Sequence, residues 1–85
     1  MASYRVDVLR SAEKDVEALA LKDRRRVASR MRALADDPRP RGSEKLSGEE
    51  KYRLRQGDFR IVYLINDERS LVTVVKVGHR RDVYR

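Results

Sequence analysis

Residues 4–9, Tyr4-Arg-Val-Asp-Val-Leu9, place Tyr4, Val6 and Val8 on one side of an extended chain. Strict alternation of this kind predicts a short strand. The period then changes. Ala12, Val16, Leu19 and Ala20 recur at helical spacing, with Ser11 as the expected cap and Glu13 and Asp15 in the first turn, where the helix dipole favours acids. A second helical stripe follows, of Val27, Met31 and Leu34 with Ala28 and Ala35 beside it. Asp23 is its expected cap. Asp37-Pro38 is its expected stop, because the residue before proline avoids helical backbone.

Residues 38–50 carry Pro38, Pro40, Gly42 and Gly48 and read as a loop, anchored to the core by Leu46. The last third reads as strands. Tyr52-Arg-Leu-Arg55 alternates, and Gln56-Gly57-Asp58 is a turn. Phe59 to Ile65 is apolar on both sides except at Arg60, as expected of a central strand. Asn66 to Arg69 is a second turn, and Leu71 to Val77 is apolar apart from Thr73 and Lys76. Gly78 is expected to end or bend that strand. The predicted order is β-α-α-β-β-β. This is a small α+β domain, with a mainly antiparallel four-stranded sheet and a two-helix hairpin on one face. The other sheet face stays free for a substrate or partner.

With 85 residues the chain has room for one domain and one modest core. It has no cysteine, so no disulfide staples it and no thiolate can attack a substrate or hold a metal. One histidine adds no zinc ligand set, and no metal or cofactor is expected. No apolar run approaches the ~20 residues of a membrane span, and the first residues lack the apolar stretch of a signal peptide, so a cytoplasmic protein is expected.

The net charge is +7, and it is unevenly placed. Residues 1–50 hold 12 basic and 10 acidic side chains, whereas residues 51–85 hold 9 and 4. The strand-rich half is therefore the basic half, which points to a polyanion. Period-2 geometry sharpens this. If Tyr52, Leu54, Phe59, Ile61, Tyr63 and Ile65 face the core, then Arg53, Arg55 and Arg60 face the other way. Lys76 alternates with Val75 and Val77 and is expected to join them. His79, Arg80 and Arg81 follow at the strand end. Gathered cations repel, and a bound anion relieves the repulsion. The competing explanation is a solvated face with edge arginines that block aggregation. Arg60, inside an apolar strand, needs an acceptor. Asp58, Asp67 and Asp82 are its candidates.

The segments "KLSGEEKYRLRQGDFRIVYLI" (45–65) and "VVKVGHRRDVYR" (74–85) resemble the RelE/ParE toxin superfamily of bacterial type II toxin–antitoxin systems. The resemblance covers almost the whole chain. It implies one of two activities: RelE-like cutting of mRNA in the ribosomal A site, or ParE-like poisoning of DNA gyrase. A degenerate toxin that only binds its antitoxin is a third reading. RNA cutting is favoured, because Gly78-His-Arg80 and Tyr84 are retained. In such metal-independent ribonucleases a 2′-hydroxyl attacks its own 3′-phosphate and leaves a cyclic phosphate. The resemblance makes Arg60 and Arg80 phosphate ligands and Tyr84 a stacking or proton-transfer group. Arg53 and Arg55 stand where the best-studied RelE type has lysines, and arginine does not release a proton. Proton transfer then falls to His79 or Tyr84. Lys51, Arg53, Arg55, Lys76 and Arg81 are the expected substrate-binding cations. The implied partners are the ribosome with its mRNA and a cognate antitoxin with an acidic toxin-binding segment. Promoter DNA is expected to be bound only through the toxin–antitoxin complex.

Overall fold

The computed structural model describes residues 3–46, 48 and 50–83. Strand β1 (Arg5–Val8) leads into helices α1 (Arg10–Glu17) and α2 (Leu21–Ala33). Four strands follow: β2 (Ser43–Lys45), β3 (Lys51–Gln56), β4 (Phe59–Asn66) and β5 (Leu71–His79). They form one sheet in the order β1-β5-β4-β3-β2. β1 runs parallel to β5, and all other neighbours are antiparallel. The α+β class is as expected, and the sheet face opposite the helices is partly covered, with Val62 and Val83 buried on it.

Both helices pack on one face. Ala12 of α1 and Val27 and Met31 of α2 meet Leu54, Ile61, Tyr63, Val72, Val74 and Val77 of the sheet. Tyr63 is fully buried, and its hydroxyl donates to the Pro38 carbonyl at 2.8 Å. Burial pushes that phenol up to about 12. The β3–β4 hairpin turns on Gly57, whose φ of +59° fits the first central position of a tight hairpin turn, where a side chain would be strained.

Four expectations need correction. The region 38–50 is not all loop, because Ser43–Lys45 adds a fifth strand at the edge. Its three residues bury no alternating apolar face, and its pairing to β3 is carried by backbone groups. Leu46 does not enter the core cluster but lies on the opposite sheet face, beside Lys51, Val62 and Val83. The helices also start earlier than their expected caps, with Leu9 and Ala20 at the N-cap positions and no side-chain cap. The chain passes from β1 straight into α1, with the Leu9 amide still bonded to the Val74 carbonyl. Asp15 serves the sheet instead, and accepts the Val77 amide N–H at 3.1 Å where β1 has run out. Gly78, finally, does not end β5, which runs on to His79. It pairs with Arg60, and Val83 packs over it.

Candidate functional site

The sheet face opposite the helices collects cations through strand register. On β3, Lys51, Arg53 and Arg55 alternate with the buried Tyr52 and Leu54. Arg55 pairs with Arg60 across the β3–β4 hairpin, and Arg53 pairs with Val62. Like charges directly opposite on neighbouring strands destabilise a sheet. The Arg60 guanidinium is held locally, with Nη1 donating to the Phe59 carbonyl at 2.8 Å and the Gly57 carbonyl at 3.0 Å. Its acceptors are therefore carbonyls of its own hairpin, and none of Asp58, Asp67 or Asp82 fills that role.

Lys76 reaches the same face for a different reason. The β4–β5 register shifts at Val62/Tyr63, where Lys76 pairs with Val62 but Val74 pairs with Tyr63. Val75 is the extra residue of this bulge. Val72, Val74 and Val77 are buried against the helices, so the phase changes by one residue between 74 and 77. Without the bulge, Lys76 would point into the core. With it, Lys76 lies beside Val62, Lys51, Val75 and Val83. Simple alternation puts Lys76 on the right face only by counting from Val77. Counting from Val72 it fails, and no residue pattern marks the bulge.

Arg80 stands at the rim. Its amide donates to the Asp58 carbonyl at 2.7 Å, and its Nε lies 3.9 Å from an Asp58 carboxylate oxygen. The guanidinium remains exposed. Residues 80–83 then turn back, with the Asp82 and Val83 amides donating to the His79 carbonyl. This brings Val83 down onto Gly78 and buries it. Tyr84 lies outside the described residues.

His79 is turned the other way. It pairs with Phe59, and the two rings meet edge to face at 5.9 Å. Phe59 packs against the core, and His79 opens onto a cleft with Asp23 and Arg26 of α2. Its Nδ1 accepts the Arg81 amide N–H at 3.2 Å. The structure thus groups Lys51, Arg53, Arg55, Arg60 and Lys76, sets Arg80 at their edge, and places His79 on the helix side. Among the described residues, no three His, Asp or Glu side chains converge as a metal-ligand set.

Glu44 is a functional neighbour that the residue pattern did not reveal. It pairs with Arg53 across β2 and β3, and its carboxylate forms an ion pair with the Arg53 guanidinium. Arg53 is mostly covered, with 14% of its side chain exposed, whereas Arg55 is open. The two arginines of "YRLR" are thus unequal. Only the unforeseen strand β2 could have shown it.

The far end of the sheet is built differently. Arg39 makes a two-pronged contact with Asp67, at 2.8 and 3.2 Å, and donates through Nε to the Tyr52 hydroxyl at 3.1 Å. Its guanidinium also lies 5.2 Å from the Tyr52 ring centre. Tyr4 donates to the same Asp67 carboxylate at 2.5 Å. The Arg39 bonds, and after them the Tyr4 bond, hold the Asp67 carboxyl below its ordinary range.

Comparison with known proteins fits this architecture. The family described as ParE toxin of type II toxin-antitoxin system, parDE, matches residues 6–84. The chain is 41% identical to Toxin RelG of Mycobacterium tuberculosis over 34 residues, a match spanning 39% of that relative's length. The fold superposes on a chain of the archaeal RelE–RelB complex from Pyrococcus horikoshii with a TM-score of 0.84 and 28% identity, over 95% of this chain and 99% of the other. It superposes on a chain of the M. tuberculosis toxin–antitoxin complex RelBE2 with a TM-score of 0.80 and 27% identity, over 92% and 99%. For the intact E. coli RelBE complex the values are 0.76 and 26%, over 89% and 95%.

Proposed function

The chain belongs to the ParE toxin family of type II toxin–antitoxin systems, within the RelE/ParE superfamily, and from that premise we propose that it is a ribosome-dependent mRNA endoribonuclease silenced by a cognate antitoxin. The supporting observation is the Arg55–Arg60 pair, two like charges held opposite each other with Arg80 at their rim. A phosphodiester fits between such groups, because a guanidinium offers two parallel donors to two phosphate oxygens. In the proposed reaction the 2′-oxygen bonds to the adjacent phosphorus as the bond to the 5′-oxygen breaks. The products are a 2′,3′-cyclic phosphate and a 5′-hydroxyl. The 2′-hydroxyl gives up its proton and the leaving oxygen gains one. Arg60 and Arg80 neutralise the charge that builds on the phosphorane oxygens. Arg55, Lys51, Lys76 and Arg81 hold the strand, and Arg53 shares its charge between the strand and Glu44. Tyr84 is the proposed proton carrier, since the His79 ring is packed on Phe59 toward α2.

The test is primer extension on a defined, translated mRNA after toxin induction, wild type beside Arg80→Ala. New 3′ ends are expected with wild type and only weakly with the variant. The family's description as ParE toxin favours a second reading, a poison of DNA gyrase. Blocked supercoiling with intact ribosome-bound mRNA would establish that reading in place of the first. The antitoxin is the proposed partner in either case. The RelE relatives with solved structures include RelE–RelB complexes, and a +7 surface suits an acidic segment that folds on docking.

A further inference from the structure

Strand β5 outruns its outer neighbour. Strand β1 covers it from Leu71 to Val74, and β5 continues to His79. Beyond Val74 the ladder is one-sided, with β4 as the only neighbouring strand. This overhang carries Lys76 and leads directly into Arg80. It also begins at the Val75 bulge, and a bulged strand bends and twists more than a regular one. The Arg80 amide turns inward, to the Asp58 carbonyl. Alternation along the strand then turns the backbone groups of Val77 and His79 outward, to the uncovered edge.

Two contacts close that edge. The His79 carbonyl accepts the Asp82 and Val83 amides of the terminal turn. The Val77 amide donates to Asp15 Oδ2 of α1 at 3.1 Å. Asp15 thus takes the place of the strand that β1 no longer supplies, and it ties the overhang to the helix layer. Its own helix gains nothing from it. Aspartate is a poor residue for a helix interior, because its short carboxylate competes for backbone donors. Asp15 also lies in the last turn of α1, where the helix dipole disfavours an anion. The sheet explains its position and the helix does not.

An acid over a free edge also blocks pairing with other chains, and that is the competing explanation. The state of Arg80 favours another role. Its guanidinium is exposed, and the Asp58 carboxylate engages it only loosely at 3.9 Å. Its place therefore follows from its backbone, and its backbone follows from β5. A binding constellation tolerates displacements of only about 0.5 Å. We infer that Asp15 is a positioning residue: by holding the Val77 amide it fixes the β5 overhang, and with it the placement of Arg80 beside Arg60. The inference deepens the nuclease reading and rests on it for the role of Arg80.

Amide hydrogen exchange of the full chain, followed by NMR, reads the placement directly. In Asp15→Ala, exchange at Arg80 is expected to speed up about tenfold, while the core amides of Ile61 and Val72 stay within about twofold of wild type. Asp15→Asn keeps an oxygen acceptor for the Val77 amide and should restore Arg80 protection to within about twofold. Single-turnover cutting of mRNA on ribosomes should follow the same order, down about tenfold in Asp15→Ala and within about twofold of wild type in Asp15→Asn. Unchanged Arg80 protection in Asp15→Ala overturns the inference. So does a uniform rise in exchange across the sheet with normal cutting by the folded fraction, since Asp15 would then be a stabilising contact and nothing more. An Asp15→Asn variant as impaired as Asp15→Ala also overturns it, because the charge rather than the bond would matter. Wild type that cuts no mRNA sinks the nuclease reading alone, because exchange at Arg80 still decides whether Asp15 holds the overhang.

Discussion

The two ends of one sheet use arginine in opposite ways. At the β4–β5 turn, Arg39 is saturated: a carboxylate takes two of its donors, a phenol takes a third, and an aromatic ring lies nearby. At the β3–β4 turn, Arg55 faces Arg60 across the hairpin, and Arg80 is only loosely engaged by Asp58. The first arrangement closes a network and ties the Pro38–Arg39 segment to a turn. The second leaves charge uncompensated at the edge of an open face. An arginine in a family motif is therefore weak evidence of a binding role until its acceptors are known. A cluster short of acceptors is the stronger sign.

The comparison is most directly broken by removing one cation from each end. Arg80→Ala is expected to lower mRNA cutting by about ten- to several-hundred-fold, one to a few kcal/mol of barrier, with an unchanged melting temperature. Arg60→Ala should match it in cutting, and single-turnover primer extension reads both. If Arg60→Ala instead melts the protein, its bonds to the Gly57 and Phe59 carbonyls are its main role. Arg39→Ala should behave in reverse. Cutting by the folded fraction stays near wild type, while urea denaturation shows a loss of about 1 kcal/mol, modest because the pair is partly exposed. Equal catalytic losses from Arg39→Ala and Arg80→Ala would erase the distinction between the two ends.

Much of this division was legible in the chain itself. The phase of "YRLRQGDFRIVYLI" separates Tyr52, Leu54, Ile61, Tyr63 and Ile65 from Arg53, Arg55 and Arg60, because the hairpin is regular and its turn needs Gly57. What stayed hidden depended on partners far away in the chain. Strand β2 has no apolar alternation, so neither it nor the Glu44–Arg53 contact could be foreseen. The bulge at Val75 sits in a run of valines whose period is ambiguous, yet it alone puts Lys76 on the open face. His79 has the same difficulty. Its orientation follows from pairing with Phe59, and proximity in sequence to Arg80 says nothing about it.

Glu44 offers a finer test within the basic end. Its carboxylate competes with phosphate for Arg53. Glu44→Gln keeps the shape of β2 and removes the competitor's charge. Affinity for a short non-cleavable RNA strand should rise by roughly two- to fivefold, the scale of a partly exposed ion pair, with a steeper salt dependence. An unchanged affinity would mean that Arg53 stays committed to the sheet even without the pair.

The smallest expected effect belongs to the saturated end and is read by pH. Asp67 is held below its ordinary range by Arg39 and Tyr4. A carboxyl whose folded pKa lies below its unfolded value of about 3.9 binds fewer protons when folded than when unfolded. Its contribution to stability is complete above the unfolded value and disappears as the pH falls through the folded one. Wild type should therefore lose stability on acidification below about pH 4 more steeply than Asp67→Asn, and the two curves should converge at the acid end. Neither Arg80→Ala nor Glu44→Gln should reproduce that convergence. Arg39→Ala should reproduce most of it, because the Arg39 bonds are the larger cause of the Asp67 shift. If it does not, Tyr4 rather than Arg39 holds the carboxylate, and the saturation of Arg39 is a consequence of the turn rather than its support.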